Sequence, residues 1–195
     1  MPLGRPIEFE PEQALEAAMQ QFWSAGYEST SLRELLTAMD LSKSSLYQTF
    51  GTKQQLFEKC IARYRDGMAC DMLERLQNAQ SGWCFIEETL YSVVEVTRGP
   101  IPPRGCLVMN SASEFSQGNP ALAALISASL ERFEGVFLQA VQRAQAEGDI
   151  PASKDARVLA QYLLTSMGGL RTMVKAGTDA KHIRQIVGVV LNALA

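Results

Sequence analysis

Histidine is almost missing from this 195-residue sequence: His182 is the only one. That excludes a zinc site built from several histidines. Cysteine is sparse as well. Cys60, Cys70, Cys84 and Cys106 include no Cys-x-x-Cys pair, so a zinc site from these spacings is not expected and free thiols are. No apolar run approaches the roughly 20 residues of a membrane span. No apolar leader with a cleavage site opens the chain, so the cytoplasm is the expected location. Positive charge is not in excess either. The net charge is −3, which by itself does not advertise a nucleic-acid partner. There is no phosphate-binding glycine loop, nucleophile elbow, internal repeat, low-complexity tract or strand signal. The expectation is a protein that is not an enzyme and needs no metal or cofactor.

What the sequence does have is apolar periodicity of the helical kind, with 47% hydrophobic residues to build a core. The stretch from residue 30 to residue 50 organises the rest. Leu32, Leu35, Leu36 and Met39 recur at i, i+3, i+4 and i+7, which predicts one amphipathic helix. Asp40 and Leu41 break it, and aspartate tolerates the left-handed backbone a tight corner needs. Ser42 then stands at an N-cap position. Leu46 and Phe50, four apart, can reach back to the first helix. Lys43, Ser44, Tyr47 and Gln48 are left on the outside. Such a face suits a DNA major groove, where glutamine pairs with adenine and lysine reaches guanine or phosphate. A merely solvated helix pair fits the same spacing.

This segment resembles the DNA-binding domain of TetR-type transcriptional regulators. The matching residues are Thr30-Ser31, Arg33, Leu35, Leu41-Ser42-Lys43, Ser45-Leu46-Tyr47, Phe50, Lys53 and Leu56. The run Leu-Tyr-x-x-Phe-x-x-Lys directly after a helix-turn-helix is the specific part. Asp40 departs from the family's usual glycine without disturbing the corner. The local charge agrees: residues 29–65 carry six cations against three anions, so the remainder is the acidic part. The implied partner is double-stranded DNA with a near-palindromic operator, read by a homodimer.

The expected architecture is all-α, with about nine helices. A three-helix DNA-binding domain spans residues 1–55, and a helical effector-sensing and dimerisation domain spans 56–195. Gly4-Arg5-Pro6 resembles a minor-groove arm presenting Arg5, with a frayed terminus as the alternative. A first helix over 11–25 is the buttress. Thr30 and Ser31 can cap the next helix and offer hydroxyls to phosphate. Arg33 has two readings, DNA contact or an ion pair with a nearby acid. Thr52 is an N-cap beside Lys53, together a phosphate clamp. The fourth helix, from residue 53 to about 77, crosses from one domain into the other and can transmit a shift. The Arg63, Arg65 and Asp66 cluster reads as solvated surface.

Behind it, Trp83, Phe85, Met109, Phe115, Phe133 and Phe137 suit an apolar effector cavity, or an ordinary filled core. Cys106 follows Pro102-Pro103-Arg104-Gly105 and is expected in the first turn of a helix. The helix end and the guanidinium would both favour thiolate, the form that reacts with electrophiles and oxidants. The alternative is a small buried hydrophobe. The segment also resembles the family branch that includes N-ethylmaleimide-responsive repressors. Lys175 would be a second cation if the fold brings it close. Regulators of this family dimerise through their last two helices, which implies an interface at Leu164, Gly168, Ile183, Ile186, Val187 and Val190. The expected function is therefore a repressor released by a small-molecule or electrophilic effector. The rival is a ligand- or partner-binding helical protein that has lost operator binding.

Overall fold

The computed structural model describes residues 9–97, 103–115 and 119–195, with Phe115 described by its backbone alone. Among the described residues there are nine helices and no strand. They are α1 Pro11–Ala25, α2 Leu32–Met39, α3 Lys43–Phe50, α4 Lys53–Asn78, α5 Gly82–Val96, α6 Leu107–Phe115, α7 Pro120–Glu147, α8 Ala156–Lys175 and α9 Ala180–Asn192. Arg5, the expected arm residue, lies outside the described residues.

Helix boundaries follow capping chemistry. Ser31 accepts the Glu34 amide while Glu34 accepts the Ser31 amide, and Thr52 and Gln55 repeat that reciprocal pair at α4. Asn119 caps α7 ahead of Pro120, and Gly148 ends that helix in the left-handed region at φ 89°. Asp155 and Asp179 each take two amides at the starts of α8 and α9.

α1 packs on α2 and on α4, and α3 adds Leu46 and Phe50 to the same core. Phe22 and Phe57 meet edge to face at 4.9 Å, and Leu35, Leu46, Leu56 and Ile61 are fully buried around them. Arg63 is not the loose surface residue expected. It donates to Glu16 at 3.0 Å and also binds Glu12, fastening α4 to α1. The rest of α4 enters the body, where α7 packs along α4, α5, α6 and α8.

At its far end α4 is pinned. Arg143 of α7 donates to the carbonyls of Leu76, Ala79 and Gln80 at 2.8–3.2 Å, satisfying acceptors that a helix end leaves open. The same guanidinium holds Glu147, whose other oxygen accepts the Gly82 amide at 2.7 Å. One arginine and one glutamate thus tie the end of α4 and the start of α5 to α7.

Candidate nucleic-acid interface

The helix-turn-helix forms from local chemistry. Asp40 makes the corner at φ 51°, ψ 46°, the single non-glycine residue at positive φ among the described residues. Ser42 accepts the Ser45 amide at 3.1 Å and starts α3. Its hydroxyl also meets those of Ser44 and Ser45, at 2.9 and 2.8 Å, so it serves the helix more than a ligand. Leu46 and Phe50 point into the core. Lys43, Ser44, Tyr47 and Gln48 form the exposed outer side, and Tyr47, a large aromatic, is 45% exposed. An exposed tyrosine beside lysine, serine and glutamine is available to base edges and phosphates.

Around α3 the expected contact residues divide. Ser31 and Thr52 are exposed caps, and Arg33 is exposed. Thr30 is a correction: it is 1% exposed, and its hydroxyl donates to the Gly26 carbonyl at 2.5 Å. Buried and spent on the backbone, it cannot reach phosphate. Lys53 is half-buried, with its ammonium 4.3 Å from the Tyr27 ring centroid, so the ring shares its charge.

Residues 14–60 match the model for bacterial regulatory proteins of the tetR family, and residues 86–190 match that for the tetracyclin repressor-like C-terminal domain. The HTH-type transcriptional regulator YezE of Bacillus subtilis (strain 168) is 31% identical over 98% of this chain and 100% of its own. The chain belongs to the TetR family. The HTH-type transcriptional repressor ComR of Escherichia coli (strain K12) is 28% identical over 96% of this chain and 90% of its own. A solved structure of a cysteine mutant of the TetR family regulator CifR, complexed with 26-bp double-strand operator DNA, is also similar. It is 31% identical, covers 98% of this chain and 100% of that one, and superposes with a TM-score of 0.85. TetR-family proteins are transcriptional regulators, not enzymes.

In this TetR-family chain the body differs in detail from what periodicity suggested. Cys106, Met109, Phe133 and Phe137 do line one internal cavity, together with Leu164 and Gly168. That cavity measures only about 40 Å³, room for a few waters. Trp83 and Phe85 are not among its lining residues: Phe85 packs on Phe137 at 6.5 Å. The side chain of Phe115 lies outside the described residues. Cys106 sits one residue before α6, at the N-cap position, its carbonyl accepting the Asn110 amide at 2.9 Å. It is 6% exposed. The Arg104 guanidinium expected beside it donates to Gln20 of α1 at 2.6 Å and lies over the Trp23 ring. The aliphatic stem of Lys175 passes the preceding turn: its Cδ is 3.4 Å from where a Cβ on Gly105 would stand.

The expected dimer residues also need correction. Ile183, Val187 and Val190 are buried inside this chain, where α9 packs on α5 and α8. A Cβ on Gly168 would meet Met109 of α6 at 2.6 Å, so that glycine admits a helix of the same chain. Ile186 does face outward, at 42% exposure, alongside Val189 at 66%. Period 3.6 locates an apolar stripe without saying what covers it.

Sequence reasoning missed Glu114 in the last turn of α6. Its Oε2 accepts the Tyr27 amide at 2.9 Å and, more weakly, the Glu28 amide at 3.4 Å. The same side chain fills the space beside Gly26. A body helix thus holds the turn that leads into α2. No local signal marks it, since its partners lie 86 and 87 residues away.

Proposed function

We propose that this protein is a cytoplasmic, homodimeric repressor that leaves a near-palindromic operator when a small-molecule or electrophilic effector acts on its body. One observation carries the reading. The outer side of α3 exposes Lys43, Ser44, Tyr47 and Gln48 while its inner side is fully buried, so the helix is held rigidly with a polar face to the solvent. The operator complex of CifR supports it. Ser31, Arg33, Ser42, Thr52 and Lys53 flank that face and position the backbone of the duplex. The DNA-binding unit is taken as residues 1–55 and the regulatory unit as 56–195, with α4 shared. Among the described residues no helix is long and apolar enough to cross a membrane.

Release works through α6. Cys106 stands at its start and Glu114 near its end, so a modification or ligand at one end disturbs amides of the DNA-binding domain at the other. The effector must favour the released conformation over the bound one, since affinity for both alike moves nothing. The outward residues Val158, Met173, Ile186 and Val189 of α8 and α9 serve the dimer.

The test is selection of bound duplex from a random pool, followed by gel shifts over a range of salt. Gln48→Ala should cost about 1–3 kcal/mol at one base position and relax the preference there. An unchanged site preference in Gln48→Ala and Tyr47→Ala would move the reading face away from α3, and no duplex selected at low salt supports instead a binding protein that has lost its operator. Operator release by an electrophile is compared in the parent chain and Cys106→Ser; equal responses remove Cys106 from the mechanism.

A further inference from the structure

We propose that the gap between the DNA-binding domain and the body is an effector site, and that it takes a small organic anion: a carboxylate on an apolar frame. This rests on the repressor reading above and names the effector's chemical class. The gap has a volume of about 420 Å³, within the range of small-molecule pockets. It lies among α1, α4, α5, the turn at residues 103–105 and α8, and shares Met68 and Arg171 with the smaller cavity at Cys106.

Its side-chain polarity is one-sided. Trp23 Nε1 and Tyr64 Oη are both buried without a hydrogen-bond partner, and Tyr64 is only 6% exposed. The Cys106 thiol and the Leu107 amide are the polar groups nearest that phenol. Two guanidiniums, Arg104 and Arg171, line the same space. No aspartate or glutamate lines it, and Arg171 has no carboxylate within 4 Å among the described residues. The Gln20 amide oxygen already takes Arg104, and Ser92, which gives its proton to the Thr89 carbonyl, offers only a neutral oxygen.

Buried donors without acceptors are costly, and the two half-exposed guanidiniums give the gap a positive wall with no counter-charge on it. A carboxylate answers the two guanidiniums through charge-assisted bonds, with the buried phenol and indole packed beside them. Met68, Val93, Val96 and Val174 supply the wall for an apolar frame. An amide would leave the two charges uncompensated, and an amine would be repelled.

The site also has a way to act on DNA binding. Arg104 now holds Gln20, on a helix of the DNA-binding domain. An anion competes for that guanidinium and draws it off α1, while its frame presses on Trp23 of the same helix.

The experiment titrates the full-length chain with straight-chain carboxylates from hexanoate to decanoate and with 4-phenylbutyrate. Each is paired with its primary amide and its amine, and read by calorimetry, tryptophan fluorescence and operator gel shift. At least one carboxylate should bind about tenfold or more tighter than its amide, perturb tryptophan fluorescence and lower operator occupancy. The preference should fall in Arg171→Met and in Arg104→Gln, with melting temperatures taken first to show that each variant folds. It should persist in Cys106→Ser. Equal binding of acid and amide, no carboxylate binding at about 10 mM, or a preference that survives both arginine variants overturns the site. A carboxylate that binds but leaves the operator complex intact overturns its role as effector. Operator binding without ligand is measured in parallel. Its absence sinks the repressor reading alone, whereas operator binding with no acid-over-amide preference sinks the anion site alone.

Discussion

Gly82 opens α5 against the backbone of α7. A Cβ there would stand 2.4 Å from the Ala140 carbonyl oxygen and 2.6 Å from the Ala144 amide nitrogen. Neither atom is the end of a flexible side chain, so α5 must back away. Gly82→Ala should therefore destabilise the protein by about 1–3 kcal/mol, with a melting temperature lower by several degrees. Gly135, with nothing within 4 Å of a Cβ, is the control at which alanine meets no such wall. Equal melting temperatures for the two variants would refute the close approach. At this scale the sequence reads well wherever the chemistry is local. The caps Ser42 and Thr52 and the corner Asp40 need only neighbours a few residues away. Thr30 was misread because a hydroxyl beside a cap looks alike whether it turns outward or back to the Gly26 carbonyl. Glu114, Arg143 and Arg171 were invisible, because what each touches is supplied by a distant part of the chain.

Between elements, the seam of α1 and α4 depends on pH. The Gln20 amide, and after it Arg63, hold the Glu16 carboxyl below its ordinary value of 4.5. A group with a lowered folded value contributes its stability fully above the unfolded value and loses it as pH falls through the folded one. Melting temperature should thus drop, as pH falls below 4.5, more steeply in the parent than in Arg63→Met. The difference is small, because the pair is well solvated. Parallel curves would remove the seam as a source of acid sensitivity.

The contact of α6 with the turn before α2 gives a second prediction. Glu114→Gln removes the charge but can keep one acceptor; Glu114→Ala leaves the Tyr27 and Glu28 amides to water. If that contact transmits the effector's action, operator affinity should change in Glu114→Ala and recover in Glu114→Gln, with little change in melting temperature. Identical gel-shift curves for parent and alanine variant would exclude it. Helix extents were legible from caps and breakers, since Asn119-Pro120 and Gly148 bound α7 within a residue. What each apolar stripe faces was not: α9 reads the same whether α5 or a second subunit lies against Ile183 and Val187.

At the scale of the whole molecule, most of the exposed large aliphatic side chains among the described residues are on α8 and α9. Val158, Met173, Ile186 and Val189 are all more than 40% exposed. Isolated exposed apolar residues need no explanation, but four on two neighbouring helices suit the dimer that a two-fold operator requires. Val189→Asp should shift the protein towards monomer in sedimentation and weaken operator binding, while its helical content stays the same. A variant that remains dimeric with full affinity would move the interface elsewhere. The all-α class and the division of labour between the two ends were legible from motif and periodicity. The gap lined by Trp23, Tyr64, Arg104 and Arg171 was not, because five separate parts of the chain meet there.

The anchoring of α4 by Arg143 gives the molecule mechanical gain. With its foot fixed, 26 residues of helix make a rod of about 39 Å. A tilt of about 5° carries the far tip sideways by about 3 Å. Opposed tilts in two subunits would alter the separation of their reading heads by about 7 Å, against a groove repeat of about 34 Å. Hydrogen bonds to bases fail within a fraction of an ångström. On the repressor reading, a disturbance no wider than one methyl group near the anchor would be enough to take both heads out of register.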